Sequence, residues 1–193
     1  FTREDIIHGL RYFRPESGFR TEYAYDNLLY IVGGELVPAV TGIAWEDFVD
    51  EYILGRLGAE HCFAGRIPPE AMQNLAAPHA IVEGVLQVVD RNRASPEVDE
   101  AYQRDRTHFR AYALGWRLAD VHGYKQVSHT GSYTGWRAEV ILVPELDLGV
   151  VVLVNASAGN ARSAIAEGIV KSYMGIDDID WVAYFARDDD EDS

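Results

Sequence analysis

Between Tyr112 and Asn155 the chain alternates apolar runs with links too short for anything but a reversal of direction. YALGWRLA, YKQVSH, WRAEVILV and LGVVVLVN read as four strands, separated by a VHG turn, the glycine-rich TGSYTG and PELD. A parallel pair needs a crossover of a dozen or more residues, so these strands must be antiparallel. After Asn155, ARSAIAEGIVKSYMG reads as a helix that Asn160 can cap, with Ile165, Ile169 and Tyr173 as an apolar stripe able to cover the sheet. The expected fold class is therefore α/β in the α+β sense, an antiparallel sheet flanked by helices.

The N-terminal part reads as helical. Thr2, with Asp5 three residues on, is a fair capping signal before Ile6, Ile7 and Leu10, and residues 12–24 read as a loop. In YDNLLYIVGGELV, Asp26 or Asn27 can cap a largely buried helix starting near Leu28, which Pro38 should end or kink. Gly33 and Gly34 suggest close packing against a neighbouring element. TGIAWEDFVDEYILGRLG spaces Trp45, Phe48, Val49, Tyr52 and Ile53 as one helical face, with Gly55 and Gly58 as stop signals. IPPEAMQNLAAPH reads as loop, AIVEGVLQVV as a short hairpin around Glu83-Gly84, and the polar stretch up to about residue 110 shows no core face.

Composition narrows the function. With 48% apolar residues in 193, the chain can bury a substantial core. A net charge of −14 argues against a nucleic-acid surface, which would need a basic patch. Eight of the 31 acidic residues lie from Asp177 onward, so 1–176 is expected as the folded domain and 177–193 as an acidic tail or linker. Cys62 is the only cysteine, which rules out an intrachain disulfide, and no apolar run approaches the roughly 20 residues of a membrane-spanning helix. His61 and Cys62 are adjacent, not at ligand spacing, and no His-Glu-x-x-His occurs, so neither a metal nor a cofactor is expected. His8, His79, His108 and His122 read as surface or hydrogen-bonded structural residues. Trp45, Trp116 and Trp136 read as core or its margin, with Trp136 close enough to the HTG segment to wall a pocket. GSYTG is not a nucleophile elbow, because Tyr133 and not serine holds its centre and a strand follows.

Two short elements gain meaning as a pair: Tyr25-Asp26-Asn27 and, about a hundred residues later, His129-Thr130-Gly131. The first leads into an apolar helix, a Val40-Thr41-Gly42 break and an amphipathic helix ending in ILGRLG. The second leads into a strand, a Pro-Glu-Leu-Asp turn and another apolar strand ending at Asn155. In this order the chain resembles the serine β-lactamase-like superfamily: class C β-lactamases, DD-peptidase penicillin-binding proteins and their esterase relatives. The likeness runs over roughly 19–65 and 111–175. It implies a β-lactamase/transpeptidase-like three-layer sandwich, incomplete in this chain, and the family's acyl transfer from a Ser-x-x-Lys nucleophile assisted by Tyr-x-Asn and a Lys-Thr-Gly or His-Thr-Gly strand.

On that resemblance Tyr25 and His129 are the catalytic candidates, and Asn27, Thr130, Gly131 and Ser132 the substrate-binding ones. Tyr25 would carry a proton, as phenolate or as a relay to the leaving group. Asn27 would orient a substrate carbonyl. His129 would stabilise Tyr25 or contact a substrate anion, and unlike lysine it is only partly charged near neutral pH, which favours an esterase or peptidase over an efficient β-lactamase. Thr130 adds a hydroxyl, Gly131 admits a close substrate backbone, and Ser132 matches the position whose backbone N–H completes the oxyanion hole. The two lysines, Lys125 and Lys171, have His122 and Gly168 three residues before them, so no Ser-x-x-Lys is present. The nucleophile is thus expected outside this chain, in a missing N-terminal part of the same protein, with a small-molecule or peptide as substrate. The alternative is a non-catalytic binding or scaffold protein that keeps the groove. A periplasmic or secreted location is what the resemblance implies.

Overall fold

A computed structural model of the chain describes residues 2–19, 21–65, 67–82, 84–89, 110–177 and 179–186. It divides into two compact units, Phe1–Leu75 and Ala76–Ser193.

The first unit is helical. Thr2 caps α1 (Arg3–Leu10) through a reciprocal capping box with Asp5, as its spacing predicts. Asp26 caps α2 (Asn27–Thr41) by accepting from the Leu28 N–H at 2.7 Å. Pro38 does not end α2. The helix runs on for three residues and stops at Gly42, whose φ of +74° supplies the left-handed cap. A proline near the C-terminal end forfeits one hydrogen bond without breaking the turn that follows it. Gly34 lets the helix meet the Trp45 ring, where an added Cβ would lie 3.7 Å away, whereas nothing lies within 4 Å of Gly33. α3 (Trp45–Val49) passes through a π-helical turn at Asp50–Leu54 into α4 (Gly55–Leu57). Gly55 therefore sits inside the helical run, and the stop is Gly58 in the left-handed region. Arg3 ties the unit together by pairing with Glu35 of α2 at 3.6 Å and with Glu46 of α3, which holds the Glu46 carboxyl below the usual carboxylate range. Although α2 carries only one charged residue, none of its side chains is buried, and the same holds for α1, α3 and α4. None of the described helices is long and apolar enough to cross a membrane singly.

The second unit holds the sheet. The hairpin expected around Glu83-Gly84 is present as β1 (His79–Val82) and β2 (Val85–Val88). The main sheet is an antiparallel meander in the order β3 (Arg110–Ala113), β4 (Trp116–Val121), β5 (Tyr124–Tyr133), β6 (Trp136–Val143) and β7 (Leu148–Val154). It has five strands where four are expected, because YALGWRLA folds back on itself at Leu114-Gly115, with φ of +53° and +82°. α5 (Gly159–Tyr173) covers one face, packing Ala166 and Val170 onto Ile141, Val143, Val150 and Val152.

Three expectations for the C-terminal region need correction. The stripe Ile165, Ile169, Tyr173 does not cover the sheet. These residues stay 48%, 41% and 67% exposed, while Arg162, Ser163, Ala166, Glu167, Val170 and Lys171 are buried. Asn160 is likewise not the cap, since the helix begins at Gly159 with no side-chain cap bond. Within the range expected as tail, residues 181–186 form α6 (Trp181–Ala186), whose Phe185 is buried. Fully buried Lys171 lies 3.4 Å from Glu167 and 5.8 Å from the centre of the Trp181 ring, which clasps α6 to α5. The terminal RDDDEDS, the polar stretch 90–109 and His108 lie outside the described residues.

Candidate active site

The segment His129–Ser132 is strand, not turn: β5 continues through it to Tyr133, and the reversal is the two-residue Thr134-Gly135. Two-residue hairpins at both ends of β5 determine where its main-chain groups point. His122-Gly123 pairs Val121 with Tyr124, and Thr134-Gly135 pairs Tyr133 with Trp136. Counting alternately from either turn, residues 124, 126 and 128 exchange hydrogen bonds with β4, and residues 129, 131 and 133 with β6. The β4 ladder ends at Arg117 opposite Ser128. The N–H and C=O groups of Thr130 and Ser132 therefore face an edge that no strand among the described residues covers.

Side chains along this segment alternate. His129 lies opposite Val140, itself opposite Val151, on the face away from α5. Thr130 lies opposite Glu139, on the α5 face. At Gly131 an added Cβ would meet only the Ala138 Cβ, at an ordinary 3.5 Å, and φ is not in the left-handed region. The fold itself does not require glycine there.

A part-buried hydrogen bond joins the His129 Nε2 to the Tyr112 hydroxyl of β3 at 3.1 Å, with the rings edge-on at 6.2 Å. Sequence reading did not single out Tyr112, and no local signal links it to a residue 17 positions on. Nor did it single out Glu139 and Arg162. Behind Thr130, the buried Glu139 carboxylate accepts from Arg162 Nε at 3.1 Å and from Ser163 Oγ at 3.3 Å. Burial pushes the Glu139 carboxyl up, against the pull of Arg162 and Ser163. The available signal was a lone glutamate interrupting the apolar run WRAEVILV.

The β5–β6 turn is anchored within its own unit. His79 N–H donates to the Asn155 carbonyl at 3.1 Å, and Asn155 Nδ2 donates to the Ala77 carbonyl at 3.2 Å. This lays Pro78 and His79 against Gly135, where an added Cβ would fall 2.3 Å from the Pro78 Cβ and 2.8 Å from the His79 backbone nitrogen, at a φ of +73°. His79 is thus hydrogen-bonded and structural, as expected. Gly135→Ala combines left-handed strain with a clash against backbone, and is expected to cost about 3 kcal/mol in urea unfolding. Gly131→Ala, four positions away, should cost well under half of that. Equal losses would show that neither the clash nor the conformation matters at residue 135.

In the first unit, Tyr25 stands just before α2 and its hydroxyl donates to the Asn27 Oδ1 at 3.3 Å. Its ring lies 5.8 Å from that of Tyr30. Asn27 is the first residue of the helix, with Asp26 as the cap, so its side chain is not committed to capping. The structure thus places two of the six candidate residues on the threshold of α2 in one unit and four on β5 in the other.

The family model for Beta-lactamase matches residues 2–172. The chain belongs to the Beta-lactamase family. The octameric penicillin-binding protein homologue from Pyrococcus abyssi shares the fold with a TM-score of 0.66 at 19% identity, over 90% of this chain and 48% of that one. Two curated relatives are Unguisins hydrolase ungD of Aspergillus violaceofuscus, 22% identical over 93% of this chain, and Unguisins hydrolase ungD' of Aspergillus campestris, 23% identical over 89%. The chain spans 43% and 41% of the length of these two relatives. The mixed α/β class with an antiparallel sheet, expected from the strand pattern, is the fold found in this Beta-lactamase family member.

Proposed function

We propose that this Beta-lactamase family chain is part of a serine hydrolase that cleaves an ester or amide through an acyl-serine intermediate, with the nucleophile supplied from outside these 193 residues. The observation that carries the reading is the open edge of β5. Thr130 and Ser132 present main-chain donors and acceptors where β4 has ended, and Gly131 between them needs no side chain of its own. An extended substrate can add to such an edge by main-chain hydrogen bonds. An N–H aimed there is suited to the oxyanion of a tetrahedral intermediate. Tyr25 serves as the proton carrier, Asn27 orients the substrate, and His129 takes the place of the family's lysine. Family membership and the hydrolase names of the relatives support hydrolysis as the type of chemistry, while the substrate class, a small molecule or peptide, rests on the resemblance alone.

A second reading has one observation in its favour: no Ser-x-x-Lys occurs in the chain. It makes the protein a binding or scaffold module that keeps the β5 edge. The test is to express the chain with its native upstream coding sequence and expose it to a fluorophosphonate and a fluorescent penicillin. Covalent labelling that disappears on replacing the upstream serine of a Ser-x-x-Lys is the expected result. A reading frame without that element, or a folded protein that stays unlabelled, would overturn the hydrolase in favour of the binding module.

A further inference from the structure

We propose that Tyr112 is a positioning residue that holds His129 in its Nδ1–H tautomer, so that His129 meets its ligand as a hydrogen-bond donor and not as a base. The inference rests on the reading of His129 as a site residue, and it adds both a new residue and the sense of the contact.

The geometry supplies the first step. Tyr112 on β3 lies opposite Arg117, and Arg117 lies opposite Ser128, the residue before His129. Although that register runs to Ser128 and not to His129 itself, the Tyr112 hydroxyl lies 3.1 Å from His129 Nε2. The edge-on ring arrangement, at 60°, directs the hydroxyl towards the imidazole and not over its face. Both residues are half-buried, so water competes only partly for the bond.

Chemistry supplies the second. A phenol is a good donor and a poor acceptor, whereas the bare nitrogen of a neutral imidazole is the strongest acceptor that the ring offers. The favoured bond is therefore Tyr112 O–H to Nε2. That leaves the ring proton on Nδ1, against the Nε2–H form that a free histidine side chain prefers. With the Nε2 lone pair occupied, neutral His129 cannot accept a proton from a hydroxyl nucleophile without first breaking this bond. What it has to offer is the Nδ1–H, which has no hydrogen-bond partner among the described residues. The matching ligand group is an acceptor: the carbonyl or carboxylate oxygen of an ester, amide or peptide. Proton transfer in the reaction then belongs to other groups, in keeping with the role proposed for Tyr25.

The tautomer can be read directly by nitrogen-15 NMR of the ring in the 193-residue chain, at a pH where the imidazole is neutral. In the wild-type chain the Nδ1–H form of His129 should dominate by roughly tenfold, the preference expected of one ordinary hydrogen bond. In Tyr112→Phe, which keeps the ring and loses the hydroxyl, the ratio should revert to Nε2–H, while exposed His122 keeps its own ratio in both chains. Dominant Nε2–H in the wild-type chain overturns the proposal without any variant, and so does an unchanged ratio in Tyr112→Phe. Neither measurement needs a substrate. An unlabelled longer protein would therefore remove the hydrolase while leaving the Tyr112 device intact, and an Nε2–H result would remove the device while leaving the hydrolase standing.

Discussion

If the proposed serine hydrolase holds, Tyr25→Phe in a polypeptide that includes its nucleophile is expected to slow acylation by about 10²- to 10⁴-fold, the usual worth of a positioned proton carrier. The substitution removes one oxygen and leaves the ring beside Tyr30. The hydroxyl bonds to Asn27 at an exposed position, so its loss should cost stability no more than about 1 kcal/mol. Reactivity and folding thus separate cleanly. The measurement is the second-order rate of fluorophosphonate or activated-ester acylation, alongside the urea midpoint. An unchanged rate in a folded variant would remove Tyr25 from the chemistry. A parallel fall in rate and midpoint would assign it to structure. His129→Asn should act differently, because its side-chain amide still donates from close to where the ring Nδ1–H does. Retention of most activity there, with loss in His129→Leu, is the pattern expected of a donor.

Arg162→Met is expected to destabilise the second unit by about 3–5 kcal/mol near neutral pH. Arg162 and Glu139 are 5% and 4% exposed, and their contact of 3.1 Å is the carboxylate's link to a cation. Removing the guanidinium leaves a buried charge that, among the described residues, Ser163 still bonds directly. The pH dependence has a definite direction. Burial already raises the Glu139 carboxyl above its usual range in the folded chain. The folded protein therefore binds this proton at higher pH than the unfolded one. Glu139's contribution to stability is fullest below the unfolded carboxylate value, and it is lost as pH rises through the raised folded one. Without Arg162 the folded value moves further up, so the deficit against wild type should be largest at neutral pH and shrink on acidification. Replacing both partners, as Arg162→Met with Glu139→Leu, should recover most of the loss, because the charges and their desolvation leave together. A deficit that ignores pH would show that the cavity, not the charge, is responsible.

These two experiments fall on either side of what could be read from residues alone. Tyr25, Asn27 and the His129–Ser132 segment are recognisable as motifs through the resemblance to the serine β-lactamase-like superfamily, which rests on short runs of neighbouring residues. The Glu139–Arg162 pair and the Tyr112–His129 bond are not, since they join positions 23 and 17 residues apart, the first by the docking of α5 on the sheet and the second between β3 and β5. The same limit explains the misread helix face. Ile165, Ile169 and Tyr173 form the more apolar stripe of α5, yet the sheet takes the stripe bearing Ala166 and Val170 together with Arg162. Periodicity shows that a helix has two faces. Which one docks depends on the surface opposite, and here that surface contains a carboxylate needing a cation and closely spaced valines that accept small residues.

By itself the sequence determined the antiparallel meander, since links of three to six residues allow only reversals. It also determined the cap at Thr2 and narrowed that of α2 to Asp26 or Asn27, since such side chains bond amides two or three residues away. Local geometry decides such features, and local geometry is written in neighbouring residues. Tertiary structure alone decided that β5 runs on from His129 through Thr130-Gly131-Ser132, within the TGSYTG link, and that its edge there is open. That outcome depends on where β4 stops, and β4 stops because Leu114 and Gly115, fifteen residues earlier, turn the chain away.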